Sequence, residues 1–355
     1  MNIYFAPLEG ITGYSYRNAH HRLFTGIDRY YTPFVAPNYT HHFKGKEKAD
    51  VAPENNTDLP LVPQILSNRA EDFLWAAGEL YDLGYREINL NLGCPMPTVV
   101  RKKRGAGQLA DLDALDRFLE EICVGMDSQY GLRDTTDAVS DRGAAASGAE
   151  MYSNPAIAGS ADEKGREKEQ SSLRFSVKTR IGLEDTSRAA NLLKIYNRYP
   201  ICELTVHPRT QKDMYKNVPD LNVFGMFLEE SVHPVVYNGD INSMEDLAAL
   251  RERFPQVGTV MIGRGLITNP ALARELRGGD RLRKTELRSF HDALYDEAVR
   301  TLPGTAPILG RMKELWFYMG TNFRDAERYL KEIRKSGTLV QYRAAVRTLF
   351  ARCEL

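Results

Sequence analysis

The sequence of 355 residues predicts an α/β chain, a (β/α)8 TIM barrel followed by a C-terminal helical domain. Three observations predict it. Eight short runs rich in β-branched or aromatic residues recur between Met1 and Leu272, most of them bounded by Gly, Pro or Asn. Helix-like segments separate many of these runs, and strand–helix alternation repeated in this way builds a parallel barrel. No G-x-G-x-x-G follows the first run, which disfavours the competing doubly wound open sheet.

The expected strands are Ile3–Pro7, Arg29–Pro33, Leu61–Leu66, Glu87–Asn91, Ser176–Arg180, Leu204–His207, Val235–Asn238 and Thr259–Ile262. The clearest helices between them are Arg69–Leu83, Leu112–Gly125, Thr186–Arg198 and Ser243–Arg253. Ser67 or Asn68 is placed to cap the first, and Asn242 or Ser243 the last. One stretch breaks the pattern. Asp127–Ser172 is rich in Gly, Ala, Ser, Asp and Glu and nearly empty of large apolar residues. Such a composition buries too little surface to offset its ordering entropy, so a flexible insertion over about 127–172 is expected. From about Leu282 the alternation stops. "ELRSFHDALYDEAVRTL", "ILGRMKELWFYMG", "DAERYLKEIRK" and "LVQYRAAVRTLFARC" carry apolar residues at helical spacing, as about four helices would. The expected division is a catalytic barrel over 1–280 and a helical domain over 281–355.

Composition bounds the function. Hydrophobic residues make up 43% of the chain, as in a globular protein, and no run approaches the ~18 apolar residues of a membrane span. The opening "MNIYFAPLEG" lacks the basic and apolar regions of a signal peptide. Cys94, Cys123, Cys202 and Cys353 are scattered, without disulfide or zinc-site spacing. A cytoplasmic protein without a membrane partner or a metal is expected. Net charge is zero but uneven: Arg274–Leu355 holds 17 Lys and Arg against 11 Asp and Glu, a net of +6. That fits an anionic partner, and equally an ordinary solvated helical surface.

Functional residues of such a barrel gather where its strands end. The ends offer Pro7-Leu8-Glu9-Gly10, Gln64, Asn89 and Asn91 with Cys94, Lys178 with Arg180, His207 with Arg209, Asn238-Gly239-Asp240, and Gly263-Arg264. The last two are glycine-bearing and suit a phosphate held by backbone N–H groups after strands seven and eight, with Arg264 supplying charge. Lys178 sits inside an apolar strand, either as half of a buried salt bridge or as a cation beside a cofactor ring. Gln64 and Asn91 both donate and accept hydrogen bonds, as the edge of a flavin or pyrimidine requires. His207 and Arg209 suit a phosphate or an anionic substrate, although a lone His at a strand end is as often structural. Cys94 stands outside its strand, between Gly93 and Pro95, where a thiol can be a nucleophile or an acid. No local nucleophile signature accompanies it, which favours the acid.

The blocks "APLEGIT", "NLNLGCPMPTVVRKKRGAG", "VKTRIG", "LTVHPRT", "VVYNGDI" and "MIGRGLITNP" together resemble the tRNA-dihydrouridine synthase family. The likeness covers essentially the whole chain outside the insertion. It implies an FMN-dependent barrel with a helical tRNA-binding domain, reducing particular tRNA uridines to 5,6-dihydrouridine with NADPH. It implies FMN contacts from Pro7, Leu8 and Glu9, Gln64 at the flavin ring with Lys178 and His207 nearby, and phosphate contacts from Asn238, Gly239, Asp240, Gly263 and Arg264. It matches Cys94 to the catalytic proton donor and sets Asn91 and Arg209 toward the uridine or its backbone. Where a Met commonly follows the first Pro, this chain has Leu8, and the segment after Cys94 is unusually basic.

The implied chemistry accounts for that arrangement. Hydride passes from N5 of reduced FMN to C6 of uracil, and C5 then needs a proton. An ordinary thiol, with a pKa of ~8.5, is protonated at neutral pH and can donate it. Lys178 stabilises negative charge on the reduced cofactor. Arg101, Lys102 and Lys103, followed by Arg104, steer the phosphate backbone. The target base must leave its stack at a cost of a few kcal/mol, which basic helices gripping a monomeric enzyme's tRNA offset. Two rivals are an FMN-dependent reductase of a free pyrimidine and a tRNA-binding protein without catalysis. The first leaves the basic final segment without a purpose, and the second leaves Cys94 and Lys178 without one.

Overall fold

Proline decides how the third strand forms. In the computed structural model, which describes residues 1–131 and 172–355, the expected Leu61–Leu66 run appears as two pieces. Leu61–Val62 and Gln64–Ile65 flank Pro63, which has no N–H to give to a ladder. The strands are therefore nine: β1 Asn2–Phe5, β2 Arg29–Tyr31, β3 Leu61–Val62, β4 Gln64–Ile65, β5 Glu87–Leu92, β6 Arg174–Arg180, β7 Leu204–His207, β8 Val235–Tyr237 and β9 Thr259–Ile262. They form one sheet in the order β3-β2-β1-β9-β8-β7-β6-β5-β4. The order begins and ends on the two halves of the same strand, and the paired strands run parallel. This is the strand order of an α/β barrel of the TIM class, as expected. The expected insertion at about 127–172 lies outside the described residues, apart from its two ends.

The chain packs as two compact units. One comprises residues 31–239 and 257–259. Its register stacks Ile88, Leu90 and Leu92 beside Phe175, Val177 and Thr179, and these residues are fully buried. Helices Ala70–Asp82 and Leu112–Tyr130 pack through Phe73 and Phe118, edge to face with ring centres 6.2 Å apart. Asp111 starts the second helix by accepting from Ala114 N at 3.0 Å, and Gly131 ends it at φ 60°. That helix runs past its expected end at Gly125 into the first residues of the expected insertion. The helix after β4 starts at Ala70 without a side-chain cap, and the Ser67 hydroxyl accepts from Arg69 N instead.

The other unit comprises residues 1–30, 240–256 and 260–355. It holds β1, helix Tyr14–Leu23 and four C-terminal helices at Lys284–Thr301, Thr305–Met319, Glu327–Lys335 and Leu339–Arg352. Phe290 meets Tyr16 and Phe24 edge to face, with centroids 5.2 and 5.4 Å apart. Ser243 caps helix Met244–Arg253, as its sequence predicts. Burial pushes His20 down to about 3, so the ring is neutral between Tyr30 Oη at 2.8 Å and the Pro270 carbonyl at 2.9 Å.

Candidate active site

Strand register assembles the polar residues into one patch. Gln64 pairs with Asn89 across β4 and β5, and Asn89 with Ser176 across β5 and β6. One pleat further, Asn91 pairs with Lys178 and Lys178 with Thr205. Arg180 pairs with His207 beyond them. Successive side chains alternate between faces, so all of these share one face and the aliphatic residues take the other.

The Gly93-Cys94-Pro95 turn is held on every backbone group it presents to its neighbours. Asn91 Oδ1 accepts from the N–H of Gly93 at 3.0 Å and of Cys94 at 2.9 Å. Arg180 Nε donates to the Gly93 carbonyl at 3.0 Å, Ala106 N to that of Cys94 at 3.1 Å, and Gln211 Nε2 to that of Pro95 at 2.9 Å. Gly105, at φ 55°, lies against the turn; a Cβ there would stand 2.9 Å from the Cys94 carbonyl. Cys94 is thereby half-buried at the end of β5, on a backbone with little freedom to move.

Lys178 lies beside it. Its ammonium makes no hydrogen bond or ion pair among the described residues, which disposes of the buried salt bridge. Burial first, then the Arg180 charge, lowers its pKa to about 7, and Cys94 acts in the opposite direction. Thr205 Oγ1, its neighbour in register, is buried without a hydrogen-bond partner. An unpaired cation and an orphaned hydroxyl on one face fit a bound group with an anionic, hydrogen-bonding edge.

Two predicted residues turn inward. Arg209 is 2% exposed; its Nε donates to the Asn217 carbonyl at 2.5 Å, and Nη1 lies 3.1 Å from His207 Nε2. The guanidinium can only donate, so His207 Nε2 is the acceptor. Arg104 also turns in, toward the buried Asp72 carboxylate at 3.8 Å and the Pro37 carbonyl at 3.3 Å. Arg101, Lys102 and Lys103 remain exposed, on a turn that Asn68 Nδ2 ties down through the Lys102 carbonyl at 3.2 Å.

The predicted phosphate residues divide between the two units. Asn238 is buried, and a side chain at Gly239 would run into the Tyr237 ring. In the other unit, Pro7 and Leu8 are half-buried and Glu9 is exposed. Leu8 N donates to Thr12 Oγ1 at 2.8 Å, which shapes the loop after β1. Gly263 adjoins it: a Cβ there would meet Leu8 Cδ1 at 3.4 Å and Ala6 Cβ at 3.5 Å, ordinary contacts that leave the backbone approachable. Arg264 pairs with Asp240 at 2.5 Å. Strand-end reading passed over Gly265, where a Cβ would run into the Ile241 carbonyl, and over Ser176, Thr205 and Gln211. A period of two counted back from Lys178 finds Ser176, and counted back from His207 finds Thr205; no local signal marks Gly265 or Gln211.

The fold is an α/β barrel of the TIM class, with polar residues gathered where strands β4 to β7 end. The chain matches the family model of dihydrouridine synthase (Dus) over residues 4–128 and 145–350, and it belongs to that family of oxidoreductases. It is similar to a tRNA-dihydrouridine(16) synthase of Neisseria meningitidis serogroup B, 24% identical over 348 residues, covering 94% of this chain and 90% of that one. It is also similar to the probable tRNA-dihydrouridine synthase 2 of Bacillus subtilis, 24% identical over 303 residues, with coverage of 82% and 77%. Among solved structures, morphinone reductase aligns with a TM-score of 0.49 at 10% identity, covering 81% of this chain and 88% of that one. No helix of the described residues is long and apolar enough to cross a membrane.

Proposed function

We propose that this chain reduces the C5–C6 bond of uridine in tRNA to 5,6-dihydrouridine, with FMN as cofactor and NADPH as reductant. The observation that carries this reading is Cys94 on its braced turn beside the unpaired Lys178. Reduced FMN, when bound, supplies the hydride for C6. Cys94 then gives its thiol proton to C5. Lys178 offsets negative charge on the cofactor, Gln64 and His207 frame its ring, and Asn91 faces the uridine. Asn238, Gly239, Asp240, Gly263 and Arg264 receive the cofactor phosphate, and Pro7, Leu8 and Glu9 cover it. The helices of residues 284–352 and the exposed Arg101, Lys102 and Lys103 grip the tRNA, with Arg209 acting through the loop it braces. Relatives that carry the name tRNA-dihydrouridine(16) synthase make uridine 16 the position we propose. Mapping dihydrouridine in tRNA from cells lacking this protein should show loss at position 16, and retention there would refute that assignment.

Two variants test the placement of cofactor and RNA. A Cβ at Gly263 meets only ordinary contacts, so Gly263→Val should fold while its γ-methyls crowd the phosphate. FMN content should fall by roughly tenfold, as removal of one hydrogen bond to a charged group would cause, with the melting temperature little changed. A variant that purifies fully loaded would remove the phosphate from this loop. Replacing Arg101, Lys102 and Lys103 together by Ala should weaken tRNA binding regardless of sequence. The slope of log affinity against log salt should shrink by ~0.7–0.9 for each phosphate that these side chains neutralise. An unchanged slope would mean that they do not face RNA.

A further inference from the structure

Asn89 and Ser176 lie one pleat behind the strand ends, and both are fully buried. They belong to a chain of hydrogen bonds that crosses β6, β5 and β4. The Ser176 hydroxyl donates to the Ile88 carbonyl at 3.4 Å, and its oxygen accepts from Asn89 Nδ2 at 2.9 Å. Asn89 Oδ1 accepts from Gln64 Nε2 at 2.7 Å, and Gln64 Oε1 from Asn91 Nδ2 at 2.7 Å. Asn91 Oδ1 accepts from the N–H groups of Gly93 and Cys94.

The chain has a direction. A side-chain amide can turn over and exchange its donor for its acceptor. Here both ends are backbone groups that cannot: a carbonyl only accepts, and an N–H only donates. The three amides between them have one arrangement that satisfies every bond. Turning any one of them over places donor against donor or acceptor against acceptor in a buried setting.

We propose that Ser176 and Asn89 are positioning residues for Cys94. Through Gln64 they hold Asn91 in the orientation that presents an acceptor to the two N–H groups opening the Cys94 turn. Neither residue needs to touch the thiol. The catalytic consequence rests on the proton-donor reading above; the geometric one does not.

The test uses Ser176→Ala, Asn89→Leu and Ser176→Thr, which keeps the hydroxyl. Hydrogen exchange is first measured on the flavin-free protein. The amides of Gly93 and Cys94 should exchange ~10-fold faster in the first two variants and within about twofold of wild type in the third. Amides of helix Leu112–Tyr130 should be unaffected. In the FMN-loaded enzyme, oxidation of the flavin by saturating tRNA should slow ~10-fold in the first two variants, with the KM for tRNA and reduction by NADPH unchanged. Unaltered exchange at Gly93 and Cys94, or exchange that rises equally in the helix, would overturn the proposal. Faster exchange with unaltered oxidation would also overturn it, and the Cys94→Ala variant would then judge the proton-donor reading on its own.

Discussion

Cys94→Ala should bind FMN, accept electrons from NADPH and bind tRNA, yet oxidise its flavin with tRNA ~10²–10⁴-fold more slowly. That range is the loss expected for one positioned acid. The structure supports so selective an effect because the turn is braced without the sulfur. Asn91, Arg180, Ala106 and Gln211 bond the backbone of residues 93–95, and none of these bonds uses the side chain of residue 94. Removing the thiol therefore leaves the scaffold standing. Stopped-flow absorbance separates the two half-reactions. Cys94→Ser places a much weaker acid at nearly the same point and should fall close to the Ala variant. If both variants oxidise their flavin with tRNA at near wild-type rate, the thiol only shapes the turn and another group supplies the proton.

Lys178→Met should lower turnover by ~10²-fold, the loss that follows removal of one preorganised charge from a reacting centre. Its pH signature is more diagnostic. In the ligand-free protein, burial and Arg180 hold this ammonium at about 7. An anion beside it favours the charged form and raises that value. Above pH 7 the free protein is largely neutral at Lys178, so cofactor binding must take up a proton. The sign follows: FMN affinity should fall as pH rises above about 7, by up to tenfold per pH unit, until the pKa of the complex is reached. Calorimetry in buffers of different ionisation enthalpy should record the uptake, and Lys178→Met should abolish it. A binding heat independent of buffer between pH 7 and 9 would separate Lys178 from the cofactor.

Strand positions, the four closing helices and the Cys94 turn were legible because each is a local signal. β-branched runs between glycines and prolines, apolar residues at helical spacing, and Gly-Cys-Pro after a strand are all read within a few residues. Lys178 was legible for a related reason, as a charge in an otherwise apolar strand. Its lack of a partner was not, since a buried salt bridge would read identically. The basic run after Cys94 reads as four equivalent charges, yet Arg104 turns in toward Asp72 while its three predecessors stay exposed. Arg209 reads as a substrate contact, but its guanidinium braces its own loop. The helix expected to end at Gly125 runs on, because Met126 and Tyr130 continue the apolar residues at helical spacing before Gly131 supplies a left-handed stop.

By itself, the sequence determined the barrel class, the family-bearing blocks at the strand ends and the residue types available for chemistry. Periodicity and turn preference act over short range, and those features depend on nothing else. Tertiary structure alone decided which groups spend their hydrogen bonds on one another. Asn89 meets Ser176, Arg180 meets the Gly93 carbonyl and Gln211 meets that of Pro95 across separations of 87, 87 and 116 residues. Strand register makes the first of these meetings and the packing of the loops after β5 and β7 makes the other two, and burial gives them their energetic weight. The depressed pKa of Lys178 has a mixed origin: its neighbouring cation, Arg180, lies two residues along the same strand, but the desolvation, the larger cause, exists only once the chain around β6 has packed.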